Sequence, residues 1–189
     1  MPGNANFVEV WNEAWTGVDP AVRTKNEDGL ALWYQWLNEG RRLIATAGSD
    51  THGPASYGQG PGFNVVYAEA LSEPDILAAL CQGHLYLSAG PGLTLTAQTA
   101  DGVRAMMGDS LPPLAEEQAI NLTSEWDGCP TGATLSLIVD GQRSDAIVVA
   151  EHGRHSWTLS AGEGNWGLVE LRGQDNAMLA LTNPIYMRP

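Results

Sequence analysis

The chain has 189 residues, nine basic against 22 acidic, and a formal net charge of −13. That length suffices for one large or two small domains, and the charge argues against DNA, RNA and anionic membrane surfaces as partners. No apolar run approaches membrane-spanning length, and the two cysteines, Cys81 and Cys129, are too few for a disulfide framework.

Phe7–Trp11 reads as a buried strand with Glu9 as an acidic residue inside an apolar run. A buried carboxylate must be paired or metal-bound, and Glu9 is assigned a supporting position beside a site rather than a ligating one. Asn12, at the strand's carboxyl end, suits either a hydrogen bond to a ligand or the cap of the next turn. Trp11, Trp15 and the segment to Pro20 form an aromatic-rich loop. Asn26 is placed as the N-cap of a helix through Glu39, with Leu30, Trp33 and Leu37 at helical spacing. Gly40 ends that helix, and Arg41 and Arg42 follow where cations favour a helix carboxyl end. As a crossover, the helix makes Phe7–Trp11 and Leu43–Ala47 parallel neighbours.

Leu43–His52 reads LIATAGSDTH. Leu43, Ile44 and Ala45 suit a strand buried on both faces, and residues two apart in extended backbone project to one side. Asp50 and His52 are therefore expected to converge beyond the strand's carboxyl end, with Ser49 beside them. In α/β folds that end is where sites are built. On spacing alone two readings stand. One is a carboxylate–imidazole pair for zinc, manganese or iron; the other is a loop Asp capping backbone amides beside a surface His. Ser56–Gly62 (SYGQGPG) lacks the Gly-Lys-Ser/Thr ending of a phosphate loop, and is read as a flap beside Asp50 and His52.

Asn64–Ala68 is a further strand. Ser72 then caps a helix whose apolar face is Ile76, Leu77, Leu80 and a buried Cys81, and Gly83 stops it. His84 opens the strand to Ser88 and is read as structural. Gly90-Pro91-Gly92 marks a boundary between residues 1–91 and 92–189. Beyond it, helical signals give way to strands at Leu93–Thr99, Ala119–Trp126, Thr134–Val139, Ala146–Ala150, Ser156–Ser160, Gly167–Leu171 and Met178–Leu181. With Asp-Gly turns at 101, 127 and 140, this spacing indicates an antiparallel sandwich of roughly seven strands. Met106–Asp109 is read as an irregular edge. Cys129 sits in a turn, and His152 and His155 are read as surface residues.

The segments VEVWN, LWYQWLNEGRRLIATAGSDTH, GFNVVYAE, GHLYLSAGP and LTNPIYMRP, in that order, resemble the carbaryl-hydrolase-like branch of the PHP (polymerase and histidinol phosphatase) superfamily from about Phe7 to the end. GSDTH is similar to the superfamily's last metal-binding motif, and Thr182-Asn183-Pro184-Ile185-Tyr186 to the close of that branch's β domain. The resemblance implies an α/β plus all-β fold: the carboxyl-terminal portion of a distorted β/α barrel (1–91), then a β-sandwich (92–189). It implies that Asp50 and His52 hold a divalent metal (zinc, manganese or iron), with Glu9, Asn12 and Ser49 at the pocket. It also implies hydrolysis of phosphoester or ester/carbamate bonds in a small-molecule substrate.

The sequence departs from the family in one respect. The family's His-x-His motif and further ligands precede the VEVWN-like strand, where this sequence has only Met1–Asn6. The chain is accordingly expected to be a carboxyl-terminal part, inactive alone. About three parallel strands cannot close a barrel, so an apolar edge is expected to take the missing amino-terminal segment or another copy of the chain. The competing expectation is a noncatalytic sandwich that binds carbohydrate, through Trp157 and Trp166, or protein. Location is cytoplasmic by default, and periplasmic or secreted if a leader precedes the sequence.

Overall fold

A computed structural model describes residues 6–15, 20–53 and 62–188. Strands β1 (Phe7–Asn12) and β2 (Ile44–Gly48) pair in parallel, with Phe7 opposite Ile44 and Asn12 opposite Gly48. Helix α1 (Pro20–Asn38) is the crossover between them. It begins with Pro20, whose fixed φ and missing N–H suit the first helical turn. Asn26 therefore lies inside the helix and does not cap it. Its buried amide turns to the strand instead: Asn12 N–H donates to Asn26 Oδ1 at 3.0 Å, and Asn26 Nδ2 donates to Asn12 C=O at 2.9 Å. Leu30, Trp33 and Leu37 face the core as the spacing predicts.

The two parallel strands are less buried than their composition suggests. Val10 and Trp11 are buried, but Phe7 is 42% exposed and Glu9 is exposed. In β2 only Ala45 is fully buried. The reason is topological: among the described residues β1 and β2 form a two-stranded sheet, so their second face and outer edge stay open. The expectation of a buried Glu9 carboxylate is corrected accordingly.

Next come β3 (Phe63–Val66), α2 (Glu73–Gln82) and β4 (Leu85–Ser88). Ser72 caps α2 through its hydroxyl, which accepts the Asp75 N–H, and Gly83 ends it at a φ of 77°. The expected apolar face is only half engaged. Ile76 and Leu80 are half-buried, Leu77 is 52% exposed, and Cys81 is exposed, contrary to its expected burial. Both cysteines are free thiols. Burial, reinforced by the Asp127 charge, pushes the Cys129 thiol up to about 11.

Strands β3 and β4 do not continue a parallel set. β3 pairs antiparallel with β4, and β4 pairs antiparallel with β13 (Met178–Thr182). The hydrogen-bonded sheet thus runs across the boundary expected at Gly90–Gly92, and the molecule is mostly antiparallel β.

The remaining strands are β5 (Gly92–Thr99), β6 (Arg104–Met106), β7 (Ala119–Asp127), β8 (Thr134–Val139), β9 (Gln142–Arg143), β10 (Ile147–Val148), β11 (Gly153–Ser160), β12 (Trp166–Arg172) and β14 (Ile185–Tyr186). One sheet runs β10-β8-β12-β13-β4-β3, with β9 beside β8 and β14 beside β12; the other runs β11-β7-β5-β6. All seven strands expected after Gly92 are present, that at Ala146–Ala150 shortened to β10. Asp140 and Gly141, at φ 48° and 79°, make the tight turn between β8 and β9, the conformation for which Asp-Gly is favoured in hairpins.

The longer sheet is covered on both faces. On one, Leu135, Leu137, Val169 and Leu171 meet Leu95, Ile120 and Leu122 of the second sheet. On the other, Ile138, Trp166, Leu168 and Leu181 meet Trp11, Leu30, Trp33 and Leu37. Double coverage explains why every residue of β12 is buried. Two of them are charged: Glu170 is 0% exposed and Arg172 2%. Arg172 Nε donates to Glu170 Oε2 at 2.6 Å and Nη1 to Glu27 Oε1 of α1 at 2.6 Å. Tyr34 of α1 donates to Glu170 Oε1 at 2.6 Å, and Arg143 pairs with the same carboxylate. The network binds α1 to the sheet.

Among the described residues one buried side-chain oxygen has no hydrogen-bond partner, Ser124 Oγ on β7. A buried unpaired hydroxyl costs about 1–3 kcal/mol. Ser124→Ala should therefore leave the denaturant midpoint unchanged or raise it. A loss above about 1 kcal/mol would show that the hydroxyl is satisfied in solution.

Candidate functional site

The carboxyl ends of β1 and β2 lie side by side, and beyond them Asp50 and His52 meet. His52 Nε2 lies 2.6 Å from Asp50 Oδ1. The convergence expected from the sequence is present, but strand pleating does not produce it. β2 ends at Gly48, and Asp50 takes a left-handed φ of 45°, which Asp tolerates better than most residues. That turn folds the two side chains together. Both reach solvent, His52 83% exposed and Asp50 42%.

Glu9 and Asn12 form a second polar pair alongside: Asn12 Nδ2 donates to Glu9 Oε1 at 2.7 Å. The Glu9 carboxylate lies over Gly48, where an added Cβ would stand 2.3 Å from Oε2. Glycine is required there if Glu9 is to keep this position. Ser49 is exposed at the exit of β2. Among the described residues no three His, Cys, Asp or Glu side chains gather closely enough to hold a metal ion, so Glu9 stays outside the Asp50–His52 pair. The flap expected at Ser56–Gly62 lies outside the described residues except for Gly62. Gly62 N–H donates to Glu13 C=O at 3.2 Å, and its Cα sits so close to the Trp11 indole that a Cβ would come within 2.6 Å.

Two asparagines that sequence reading passed over hold β2 in place. Asn183 Oδ1 accepts Ala45 N–H at 2.8 Å, and Asn183 Nδ2 donates to Ala45 C=O at 3.2 Å and Leu85 C=O at 3.1 Å. Asn64 does the same for Ala47, at 2.9 Å to both N–H and C=O. Each side-chain amide acts as one residue of an extra strand along β2's inner edge. For Asn64 the available signal was asparagine within a strand-like run, where it is disfavoured.

The other histidines stand apart. His84 Nε2 lies 2.8 Å from Asp109 Oδ1, while Asp109 Oδ2 accepts Met106 N–H at 2.8 Å. This pairing fastens the turn after β6, in keeping with a structural His84. His152 is exposed, and the His155 ring meets Trp157 edge-on with centroids 4.6 Å apart. A cavity of about 820 Å³ opens at the opposite, amino-terminal end of the parallel strands, remote from Asp50 and His52.

A carboxylate oxygen and an imidazole nitrogen form a donor set suited to zinc, manganese or iron. Asp50 and His52 fit such an ion in kind, and supply two of the three protein ligands that a catalytic zinc usually takes. No family model, curated protein or solved structure matches the chain.

Proposed function

We propose that Asp50 and His52 are two ligands of a divalent metal in a PHP-type hydrolase acting on phosphoester or ester/carbamate bonds. The observation that carries this reading is the placement of Asp50 and His52 together, hydrogen-bonded at 2.6 Å, just beyond the carboxyl end of a parallel strand pair, the edge where α/β folds build their sites; an ion would replace that hydrogen bond, since donors about 2.0–2.2 Å from zinc stand farther apart. When bound, a metal at such a site polarises the scissile group and lowers the pKa of water. Asp50 and His52 would hold it. The Glu9–Asn12 pair would form the adjoining wall and present an amide and a carboxylate to substrate. Asn64 and Asn183 fix the strand from which the ligands project.

The ligand count requires at least one donor from outside the described residues, and β1's outer edge is unpaired among them. A strand added there in parallel would end at the same rim. Trp166 is buried, and Trp157 is half-buried against the sandwich core, so neither offers the open aromatic platform on which the saccharide reading depends.

The test is zinc titration of the chain followed by the imidazole resonances of His52. Zinc should shift them, and Asp50→Ala should abolish the shift. A spectrum in which His52 is unmoved, or moves equally in Asp50→Ala, overturns the assignment.

A further inference from the structure

The second sheet ends on β11, and β7 is the only strand beside it among the described residues. The pairing runs the full length of β11, eight residues, without a bulge. Other outer strands are short: β6 has three residues and β10 two. Natural proteins blunt a long edge with proline, lysine, a bulge or a covering element. β11 has neither proline nor lysine, and Arg154 is its one permanent charge. An edge of this length and regularity is a template for another strand.

A hydrogen bond just past the strand's end shows which of its main-chain groups are free. Ala161 N–H donates to Gln118 C=O at 2.9 Å, and that pair continues the register in which Ser160 stands opposite Ala119. Successive residues of an antiparallel strand turn their N–H and C=O to alternate sides. Those of Gly153, His155, Trp157 and Leu159 therefore face β7, and those of Arg154, Ser156, Thr158 and Ser160 face away. The outward Ser160 N–H is taken by Glu163 Oε2 at 2.6 Å. Arg154, Ser156 and Thr158 are exposed, and their outward groups meet no main-chain partner among the described residues. The free groups are thus centred on Ser156.

We propose that β11 pairs with β11 of a second copy of the chain, antiparallel about a two-fold axis at Ser156, so that the two β11-β7-β5-β6 sheets become one. The edge is self-complementary, as a two-fold interface requires. Ser156 meets Ser156, and Arg154 meets Thr158 of the second copy, so every free N–H has a C=O opposite and no like charges face each other. On the inner face His155 meets Trp157 of the second copy. Both side chains are half-buried, and the His155 ring lies edge-on to its own Trp157 with centroids 4.6 Å apart. Pairing covers these rings and closes the open side of each sandwich. The net charge of −13 is largely screened beyond about 8 Å at physiological ionic strength. Within that range β11 has no Asp or Glu, and Glu125 of β7 lies 3.9 Å from its own Arg154.

The test is sedimentation velocity of the whole chain over a concentration series, with two substitutions at the exposed Thr158. The wild type should pass from monomer to dimer as concentration rises. Thr158→Glu places a carboxylate against Arg154 of the second copy and should tighten the dimer. Thr158→Arg opposes that guanidinium and should weaken the dimer about tenfold, the scale of 1.4 kcal/mol. Both variants lose the same Thr158–Asn121 hydrogen bond, so a mere loss of local structure would move them together. In hydrogen exchange the Arg154, Ser156 and Thr158 amides should gain protection with concentration, while the His155 and Trp157 amides, bonded to β7, should not change. A monomer at every concentration overturns the proposal. So does a dimer that both variants leave intact or weaken equally, and so does concentration-dependent protection at Phe7 and Glu9 in place of β11. None of these readouts depends on metal at His52, so the two readings stand or fall separately.

Discussion

Glu170→Ala should lower the free energy of unfolding by about 3–5 kcal/mol, the cost of breaking a buried ion pair from one side. That is a large fraction of the 5–15 kcal/mol typical of a folded domain. Glu170 is fully buried and serves three partners: Arg172, Arg143 and the Tyr34 hydroxyl. Removing the carboxylate leaves Arg172 buried with Glu27 as its remaining carboxylate partner beside the Asn176 C=O. These two carboxylates raise the Arg172 guanidinium above its ordinary value even though burial pulls the other way. Urea denaturation followed by tryptophan fluorescence gives the difference, and a loss under about 1 kcal/mol would mean that the network is solvated and contributes no more than a surface pair.

Tyr34→Phe separates the hydrogen bond from the charges, at an expected cost of about 1.5–3 kcal/mol for a bond to a charged group. It also predicts a pH effect. Burial first, then the Glu170 charge and hydrogen bond, push the Tyr34 phenol well above its ordinary 10.0, against the opposing pull of Arg172 and Arg143. A raised folded-state value means that the contribution is whole below pH 10 and is lost as pH climbs beyond it. The wild type should therefore lose stability above pH 10 more steeply than Tyr34→Phe.

Much of the fold was legible because local chemistry specifies it. Asp101-Gly102 and Asp140-Gly141 located hairpin turns, the helix between β1 and β2 made them parallel, and Ser72 and Gly83 bounded α2. Readings failed where a distant partner decided the outcome. Asn26 has the right chemistry for a helix cap, but the backbone of Asn12 claims its amide. The apolar side of α2 looked like a core face, yet few elements reach it, so Leu77 and Cys81 stay exposed. The break at Gly90–Gly92 looked like a domain boundary because nothing local shows that β4 pairs with β13, some ninety residues on, a pairing visible only in the register of Leu87 with Leu181.

The approach of Asp50 to His52 was legible in the sequence, and its cause was not. Asp50 and His52 do meet, but through a left-handed turn at Asp50 rather than the alternation of a strand. Glu9 was placed beside the site while being misjudged as buried. Its exposure follows from the absence, among the described residues, of a second neighbour for β1.

Asn183→Ala is the substitution that should most directly loosen the site without touching it. The segment Thr182-Asn183-Pro184-Ile185-Tyr186 stood out in the sequence by resemblance alone, and its contacts supply a physical reason for each residue. Thr182 Oγ1 accepts Val169 N–H at 3.1 Å, and Pro184 C=O accepts Gly108 N–H at 2.8 Å. Ile185 is fully buried, and Tyr186 lies beneath Arg42. Asn183, also buried, joins β2 to β4 through Ala45 N–H, Ala45 C=O and Leu85 C=O. Truncation to Ala orphans the buried Ala45 N–H and C=O at about 1–3 kcal/mol each, while Leu85 C=O keeps the Asn183 backbone N–H at 3.4 Å, so a total loss on the order of 3 kcal/mol is expected. Asn183→Asp should do no better, because its second oxygen would face two carbonyls in place of a donor. Asn64→Ala, whose equivalent bonds lie at the exposed rim, should cost less than about 1 kcal/mol because water replaces the lost partner. Hydrogen exchange makes the assignment local: the Ala45 amide should lose protection in Asn183→Ala and keep it in Asn64→Ala. If Asn183→Ala unfolds within about 0.5 kcal/mol of wild type, β2 is held by its apolar contacts, and the amide is not what positions the strand leading to Asp50 and His52.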